Sequence, residues 1–96
     1  MHLSDLKTKF RDKIFLIADE CNIESIKIFG STIREEATDE SDVDLLISVK
    51  KTASLLDIGR FKWKIEELLR KKVDIAFEGR MHRSIAKHVM KEAKPL

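Results

Sequence analysis

The sequence predicts a layered α/β domain with a small central β-sheet. Apolar residues at helical spacing, every third or fourth position, give way repeatedly to short segments that are β-branched or alternate with polar residues. The predicted order is helix, strand, helix, strand, helix, strand, helix, so that about three strands are flanked by about four helices. A chain of 96 residues is too short for two hydrophobic cores, and residues 1–96 are therefore expected to form one domain.

Apolar spacing and capping residues place the helices. The first helix is predicted from a stripe at spacings of three and four residues: Leu3, Leu6, Phe10, Ile14, Ile17 and Cys21. Ser54, followed three residues later by Asp57, forms a possible capping box, which predicts the start of a helix that extends to about residue 70. A brief helix or turn is expected at residues 32–36, and a last helix from about residue 82 to residue 93.

Three short segments predict strands. Residues 25–29 contain β-branched residues and stop at Gly30, and residues 73–77 alternate apolar side chains with others. Residues 42–49 form the second predicted strand, which contains the apolar run Leu45-Leu46-Ile47. Pro95 is predicted to end the regular structure, because it cannot donate a backbone hydrogen bond.

The bulk composition is that of an ordinary soluble globular chain. Hydrophobic residues make up 43% of the sequence and charged residues 38%, and 19 basic residues against 17 acidic ones give a net charge of +2, too small an excess to indicate nucleic-acid binding. The longest apolar run, Ile14 to Ala18, is too short to cross a membrane. Neither a signal-peptide pattern nor a second cysteine for a disulfide is present, so a cytoplasmic location is expected.

Other charged and aromatic features are open to more than one interpretation. The basic residues near the end of the chain form either the solvated face of a helix or a docking patch: Arg80, Arg83, Lys87, Lys91 and Lys94. Trp63 lies off the main apolar stripe of its helix, which indicates either a second buried face or an exposed patch for self-association or partner docking. His82 and His88 are six residues apart, which is not the spacing of a helical zinc-binding pair.

Three aspartates lie where aspartate is normally disfavoured. Asp42 and Asp44 are two residues apart on the second predicted strand and project from one face of the sheet, and Asp74 is in the middle of the third strand. If these strands pair in suitable register, the three carboxylates converge. Like charges at that range favour a raised pKa on one carboxylate or a bound cation, and Mg²⁺ prefers such oxygen ligands. The alternative is that they cap a turn, pair with a basic side chain and face solvent, respectively.

A small-residue pair precedes the acidic strand. Gly30 would let the backbone approach a phosphate, and Ser31 could donate its hydroxyl or its backbone N–H to the same group. The pair could equally form an ordinary turn from strand to helix with Ser31 as the cap, and the two roles are compatible. Arg34, one helical turn further on, either contacts phosphate or forms a structural salt bridge.

The run from Phe29 to Ile47 resembles the signature of the minimal nucleotidyltransferases, a group within the DNA-polymerase-β-like superfamily that includes the MntA-type antitoxins. The pattern of that group is Gly-Ser, ten residues, Asp-x-Asp, with an arginine after the Gly-Ser pair and a serine before the first aspartate. This chain matches it at Gly30, Ser31, Arg34, Ser41, Asp42 and Asp44. The resemblance extends over nearly the whole chain, because Val73-Asp74-Ile75 falls where the third carboxylate of the group is expected.

The resemblance implies a nucleotidyltransferase fold, which is a small mixed sheet flanked by helices. It implies that Asp42 and Asp44 bind Mg²⁺, and that Asp74 completes the metal site or helps to deprotonate the acceptor. It also implies that Gly30 and Ser31 hold the triphosphate of ATP. Direct nucleotidyl transfer needs no protein nucleophile, which agrees with the lack of any Ser-His-Asp or Cys-His arrangement in the sequence.

The expected function, taken from the resemblance, is transfer of AMP from ATP to a tyrosine of a helical HEPN-type toxin encoded nearby, so that the chain acts as its antitoxin. One departure favours a non-catalytic binding module of the same fold: Glu35 stands where many members have glycine, and its carboxylate could repel the triphosphate. A small-molecule nucleotidyltransferase, like the antibiotic-modifying relatives, is a further alternative. Nucleic-acid binding and membrane association are not expected, and self-association stays open.

Overall fold

A four-stranded mixed β-sheet organises the chain in the computed structural model, which describes residues 2–34, 36, 38, 41–79 and 83–96. The strands, in the spatial order β3-β2-β1-β4, are β1 (Ile23–Phe29), β2 (Val43–Val49), β3 (Val73–Phe77) and β4 (Lys94–Pro95). β1 is antiparallel to both of its neighbours, whereas β2 and β3 are parallel. The predicted mixed α/β class is confirmed, with four described strands rather than about three.

Three helical regions of the described chain flank this sheet. They are α1, made of the consecutive segments Leu3–Asp5, Leu6–Phe10 (π-helical) and Arg11–Glu20, α2 (Leu55–Leu69) and α3 (Arg83–Glu92). The start predicted for the last helix, His82, lies outside the described residues. A search of the described helices for one of sufficient length and apolarity to span a membrane finds none.

The capping box predicted for α2 is present. The Asp57 N–H donates to the Ser54 hydroxyl at 3.2 Å, and the Ser54 N–H donates to the Asp57 carboxylate at 3.0 Å. These bonds satisfy two backbone donors at the start of the crossover helix that joins β2 to β3. A parallel pair of strands requires such a long connection, so α2 is the element that allows β3 to lie beside β2.

The fourth strand was not predicted, but it ends at Pro95, so the regular structure ends at the predicted residue. Lys94 and Pro95 pair with Ile28 and Lys27 along the edge of β1, and the N–H of Leu96 donates to the carbonyl of Ile26 at 3.2 Å. Proline is tolerated there because an edge strand can turn the position that lacks an N–H away from its neighbour. A two-residue strand has no periodic pattern, which is why apolar spacing could not reveal it.

The hydrophobic core lies between one face of the sheet and the helices α1 and α2. Its buried side chains include Leu6 and Ile14 from α1, Val43, Leu45 and Ile47 from β2, and Phe61 and Ile65 from α2. The stripe predicted for the first helix is therefore largely confirmed. Side chains alternate along a strand, so this burial of one face leaves Asp44 on the opposite face of the sheet.

Trp63 belongs to an exposed surface of α2 rather than to a second buried face. Its side chain is 62% exposed, and Leu56, seven residues earlier and therefore on the same side of the helix, is 73% exposed. Leu55 beside them is also exposed. Of the two interpretations given by the sequence, the structure agrees with the exposed patch.

Truncation of Leu96 to alanine is expected to destabilise the fold, because its side chain is only 6% exposed and packs in the core. Removing a buried leucine side chain costs about 2–5 kcal/mol of unfolding free energy. Urea denaturation measures this loss, and Lys94→Ala is the matched control, since the Lys94 side chain is exposed on β4, two residues before Leu96. Equal midpoints for the two variants would contradict the packing of Leu96.

Candidate active site

The parallel pairing of β2 with β3 brings predicted site residues together. Asp44 is directly opposite Asp74 in the register of the two strands, so the two side chains project from the same face. Asp42 immediately precedes β2, and its negative charge acts on Asp44. The sequence made convergence of the carboxylates conditional on this register, and the structure provides it.

The pKa of Asp44 is raised from 3.8 to about 6. Partial burial is the largest cause, followed by the negative charges of Asp74 and then Asp42, while the positive charge of Arg34 acts in the opposite direction. A hydrogen bond between the Asp44 and Asp74 side chains adds to the increase. Ionisation of Asp44 is therefore opposed in the absence of a cation.

Gly30 lies directly against Asp44. Its φ of +76° is a left-handed conformation that glycine adopts at little cost. A Cβ atom at this position would overlap Oδ2 of Asp44 and would lie 3.0 Å from its Cγ and 3.2 Å from its Cβ. Both the backbone conformation and the close approach therefore require glycine between β1 and the acidic strand.

Gly30 also begins a single turn of 3-10 helix, Gly30–Thr32, in which Ser31 is partly buried. The N–H groups of Ile33 and Arg34 both donate to the Gly30 carbonyl at 3.1 Å. The brief helix or turn predicted at residues 32–36 thus begins two residues earlier than expected. Ser31 directly follows the glycine that contacts Asp44, whereas Glu35, the departure from the family pattern, lies outside the described residues.

Arg34 forms the salt bridges that one of its two interpretations predicted. Its Nε lies 3.2 Å from Oε2 of Glu36, and its Nη1 lies 2.7 Å from Oε1 of Glu92 at the end of α3. Its charge nevertheless reaches Asp44, whose pKa it lowers. A guanidinium group has five N–H donors in a planar fork, and these two salt bridges do not use them all. A structural role and a phosphate contact are therefore compatible.

The three aspartates offer the carboxylate oxygens that Mg²⁺ prefers, but their side chains do not converge on a single point. Among the described residues, no group of three or more His, Cys, Asp and Glu side chains is placed so as to hold a metal ion. Asp44 and Asp74 are nevertheless in hydrogen-bond contact, and Asp42 acts on Asp44 through its charge. Carboxylates that repel each other stand further apart without a cation than with one, which accounts for the open arrangement.

A salt bridge on the same face of the sheet was missed by the sequence analysis. Lys27 is opposite Leu46 in register, and its Nζ lies 2.8 Å from Oε1 of Glu78, one residue beyond β3. This pair therefore spans β2, and Leu46 between its partners is fully buried. The available signal was a lysine between two isoleucines in β1, which places a cation on the face that carries Asp44.

An apolar cavity of about 510 Å³ lies at the other end of the sheet. Residues of the C-terminal ends of β2 and β3 and of the start of α2 line it, including Ile47, Val49, Leu55, Ile58 and Phe77. Asp44 and Asp74 belong to the opposite, N-terminal halves of these strands. The cavity is therefore separate from the carboxylates, and its wall does not concentrate charged groups.

Gly30→Ala is expected to destabilise the protein more than Gly79→Ala. Both glycines have positive φ, at +76° and +83°, which costs an alanine about 1–2 kcal/mol. Only at Gly30 does the new Cβ also meet Asp44, because no described atom lies within 4 Å of a Cβ at Gly79. Thermal denaturation of both variants separates the two contributions to destabilisation. Gly79→Ala measures the cost of the positive φ alone, and the further loss in Gly30→Ala measures the clash with Asp44. A Gly79→Ala loss equal to that of Gly30→Ala would contradict the close approach.

Asp44→Asn is expected to stabilise the metal-free protein above pH 6. The folded pKa of Asp44, about 6, exceeds the unfolded value near 3.8, so its contribution to stability is greatest below pH 4 and is lost as pH rises to 6 and beyond. Replacement removes a penalty of about 1 kcal/mol once solvent screening is allowed for.

Melting temperatures at pH 5 and pH 8 in chelator-containing buffer test this expectation. Asp57→Asn serves as a control of opposite sign, because hydrogen bonds to the Ser54 backbone and to Asn22 lower the pKa of Asp57. It should lower the melting temperature at pH 8. Destabilisation by Asp44→Asn at pH 8 would refute the repulsion inferred at this site.

The sequence matches a protein family described as polymerase beta, nucleotidyltransferase, over residues 12–96. A Methanocaldococcus jannaschii protein named as a proposed protein adenylyltransferase is 32% identical over 93 residues, which cover 97% of this chain and 96% of that protein. The protein adenylyltransferase MntA of Thermococcus cleftensis is 33% identical over 76 residues, which cover 79% of this chain and 77% of that protein.

Solved structures share the fold. The structure of a proposed minimal nucleotidyltransferase has a TM-score of 0.85 at 33% identity, with 100% of this chain and 97% of that chain covered. A chain from the complex of a tri-AMPylated Shewanella oneidensis HEPN toxin with an MNT antitoxin has a TM-score of 0.63 at 17% identity, covering 88% of this chain and 66% of that one, a likeness of fold alone. With the family match over residues 12–96, this chain belongs to the polymerase β nucleotidyltransferase family.

Proposed function

We propose that this chain transfers AMP from ATP to a hydroxyl group of a partner protein, in a Mg²⁺-dependent reaction in the cytoplasm. The partner is a HEPN-type toxin, and its modification makes this chain the antitoxin of the pair. The observation that carries the proposal is the contact of Asp44 with both Asp74 and Gly30 on a nucleotidyltransferase fold. This arrangement suits transfer of a phosphoryl-containing group without a protein nucleophile.

The names of similar proteins support the choice of donor and acceptor. The two relatives from Methanocaldococcus jannaschii and Thermococcus cleftensis are named for protein adenylylation, and both alignments cover most of each chain. The Shewanella oneidensis complex pairs a similar fold with an AMPylated HEPN toxin. On this basis we assign AMP as the transferred group and a HEPN-type protein as the acceptor.

The reaction exchanges one phosphorus–oxygen bond for another. The acceptor hydroxyl oxygen attacks the α-phosphorus of ATP, and the bond from that phosphorus to the oxygen bridging it to the β-phosphate breaks. Pyrophosphate leaves with the electron pair of the broken bond. We assign Asp74 to help remove the acceptor proton, because its side chain is exposed to an incoming hydroxyl and is in contact with Asp44.

Asp42, Asp44 and Asp74 are the residues that would hold Mg²⁺. The donor set fits this ion, because all three groups offer carboxylate oxygens. Burial first, and then the negative charges of Asp74 and Asp42, raise the pKa of Asp44, and a cation would offset those charges. When bound, Mg²⁺ supplies positive charge against the negative charge that develops on the phosphates. Asp42, just ahead of β2, is the member whose position can adjust without disturbing the sheet.

Gly30, Ser31 and Arg34 are proposed to bind the triphosphate. Gly30 has no side chain to keep phosphates away from the backbone, and Ser31 beside it offers a hydroxyl and an N–H donor. Arg34 lies close enough to Asp44 to lower its pKa, and its salt bridge with Glu92 holds the guanidinium in place. Together they set the phosphates next to the carboxylates.

A protein acceptor agrees with the exposed surface of α2. Leu56 and Trp63 are 73% and 62% exposed and share one side of this helix, next to exposed Leu55. Large apolar side chains that adjoin in this way commonly mark protein contacts, and tryptophan is enriched among energetically important interface residues. We propose that this surface contributes to docking of the partner.

The deciding experiment mixes the chain with Mg²⁺, the HEPN-type protein encoded beside it, and ATP labelled on the α-phosphate. Label is expected on the partner, and none when only the γ-phosphate is labelled. Asp42→Asn combined with Asp44→Asn should reduce labelling by about 100-fold or more, because groups that stabilise transition-state charge contribute on that scale.

The matched control is Asp12→Asn combined with Glu24→Gln, which removes the same number of negative charges from exposed positions on α1 and β1. It should label the partner as the unaltered chain does. A stable complex without label would identify a non-catalytic binding module instead. Label on a small molecule in the absence of the partner would identify a small-molecule transferase.

A further inference from the structure

A cationic groove on α3 adjoins the proposed phosphate site. Two neighbouring pockets, of about 280 and 240 Å³, share His88 and Lys91 in their linings. The first is completed by Arg34 and Glu92, and the second by Ser84 and Lys87. Lys87 and Lys91 are four residues apart and therefore lie on one side of the helix. We call this surface, formed by Arg34, Lys87, His88 and Lys91, the α3 groove.

Arg34 connects the groove to the carboxylates. Its Nη1 is held 2.7 Å from Oε1 of Glu92, whose side chain is only 14% exposed. The same guanidinium lowers the pKa of Asp44, so it lies within electrostatic reach of the acidic strand while lining the groove. Positive groups thus extend from the vicinity of Asp44 through Arg34 and onto α3.

Among the described residues, no acid neutralises the lysines of the groove. The side chains of Lys87, His88 and Lys91 make no hydrogen bond or ion pair with any described residue, whereas Glu92 in the groove lining is paired with Arg34. Glu36, the other partner of Arg34, is exposed. An uncompensated group of cations on one helical face attracts anions that carry several charges.

We propose that the α3 groove is a subsite for pyrophosphate, the leaving group of the transfer proposed above, and the inference rests on that function. The α-phosphate stays with the carboxylates, so the departing phosphates must move away from the carboxylates. Arg34 lines both the proposed phosphate site and the groove, and therefore connects the two. Each pocket is smaller than the roughly 300–1,000 Å³ of sites for larger ligands, which favours a compact anion over an acidic protein segment.

The proposed subsite draws the leaving group away from the reacting phosphorus. Once the bond to the bridging oxygen has broken, Lys87 and Lys91 attract the negatively charged pyrophosphate away from the new phosphate ester. Pyrophosphate held in this way slows release of the product, so pyrophosphate is expected to inhibit transfer through Lys87 and Lys91. AMP, which lacks the two outer phosphates, does not reach the groove.

Isothermal titration of the full chain with pyrophosphate alone tests the subsite without any need for activity. Lys87→Ala combined with Lys91→Ala is expected to weaken pyrophosphate binding by about 5- to 20-fold at low salt, the scale of two exposed charge contacts. Lys13→Ala combined with Lys62→Ala is the matched control, since it removes two exposed lysines from α1 and α2, which pack on the other face of the sheet. AMP affinity should be equal in all three proteins.

Equal affinity for pyrophosphate in both double variants, whether unchanged or equally reduced, overturns the subsite, because only general charge would then matter. Binding of an oligoglutamate peptide that depends on Lys87 and Lys91, with no such dependence for pyrophosphate, also overturns it and identifies an acidic docking surface. Failure of the proposed function can be distinguished from failure of the subsite. Partner labelling would then be absent, while pyrophosphate binding still depended on the two lysines.

Discussion

Repulsion between carboxylates packed against Gly30 is the constraint on which the arrangement of this protein depends. Asp44 faces Asp74 only because β2 and β3 are parallel and in the observed register, and a parallel pair requires a long crossover. The crossover is α2, which begins at a capping box and buries Phe61 and Ile65 in the core. The apolar core thus holds together two charges that would otherwise separate.

The cations around this site are placed to moderate the repulsion without removing it. Arg34 lowers the pKa of Asp44, yet two glutamates hold its guanidinium in salt bridges, so it does not neutralise the pair directly. Lys27 is likewise engaged by Glu78 across β2. A basic side chain bound directly to Asp44 would stabilise the empty site, but it would also oppose entry of a metal ion. The arrangement leaves that negative charge for a ligand.

Local chemistry made much of this fold predictable, whereas contacts between distant segments did not. The third strand and the Ser54 capping box follow from alternation and from a three-residue spacing, which are properties of a single segment. The β4 strand depends on an edge of β1 far away in sequence, and the Arg34–Glu92 salt bridge joins residues 58 apart. The signature residues were found by motif; their convergence required the register of two strands.

Acidic and basic side chains occupy different ends of the candidate site. The negative side chains lie at the start of β2 and in β3. The cations of α3 lie on the far side of Arg34, which lines the same pocket as they do. Under the proposed function, a metal ion and the α-phosphate would occupy the acidic end, and the negative charge released during transfer would be attracted toward the basic end. Glu92 is the residue that joins the two, because it fixes Arg34 from α3 while leaving guanidinium donors for phosphate. Under the proposed function, the separation of acids from bases on opposite sides of one arginine would let a chain of this size bind a polyanion next to its own carboxylates.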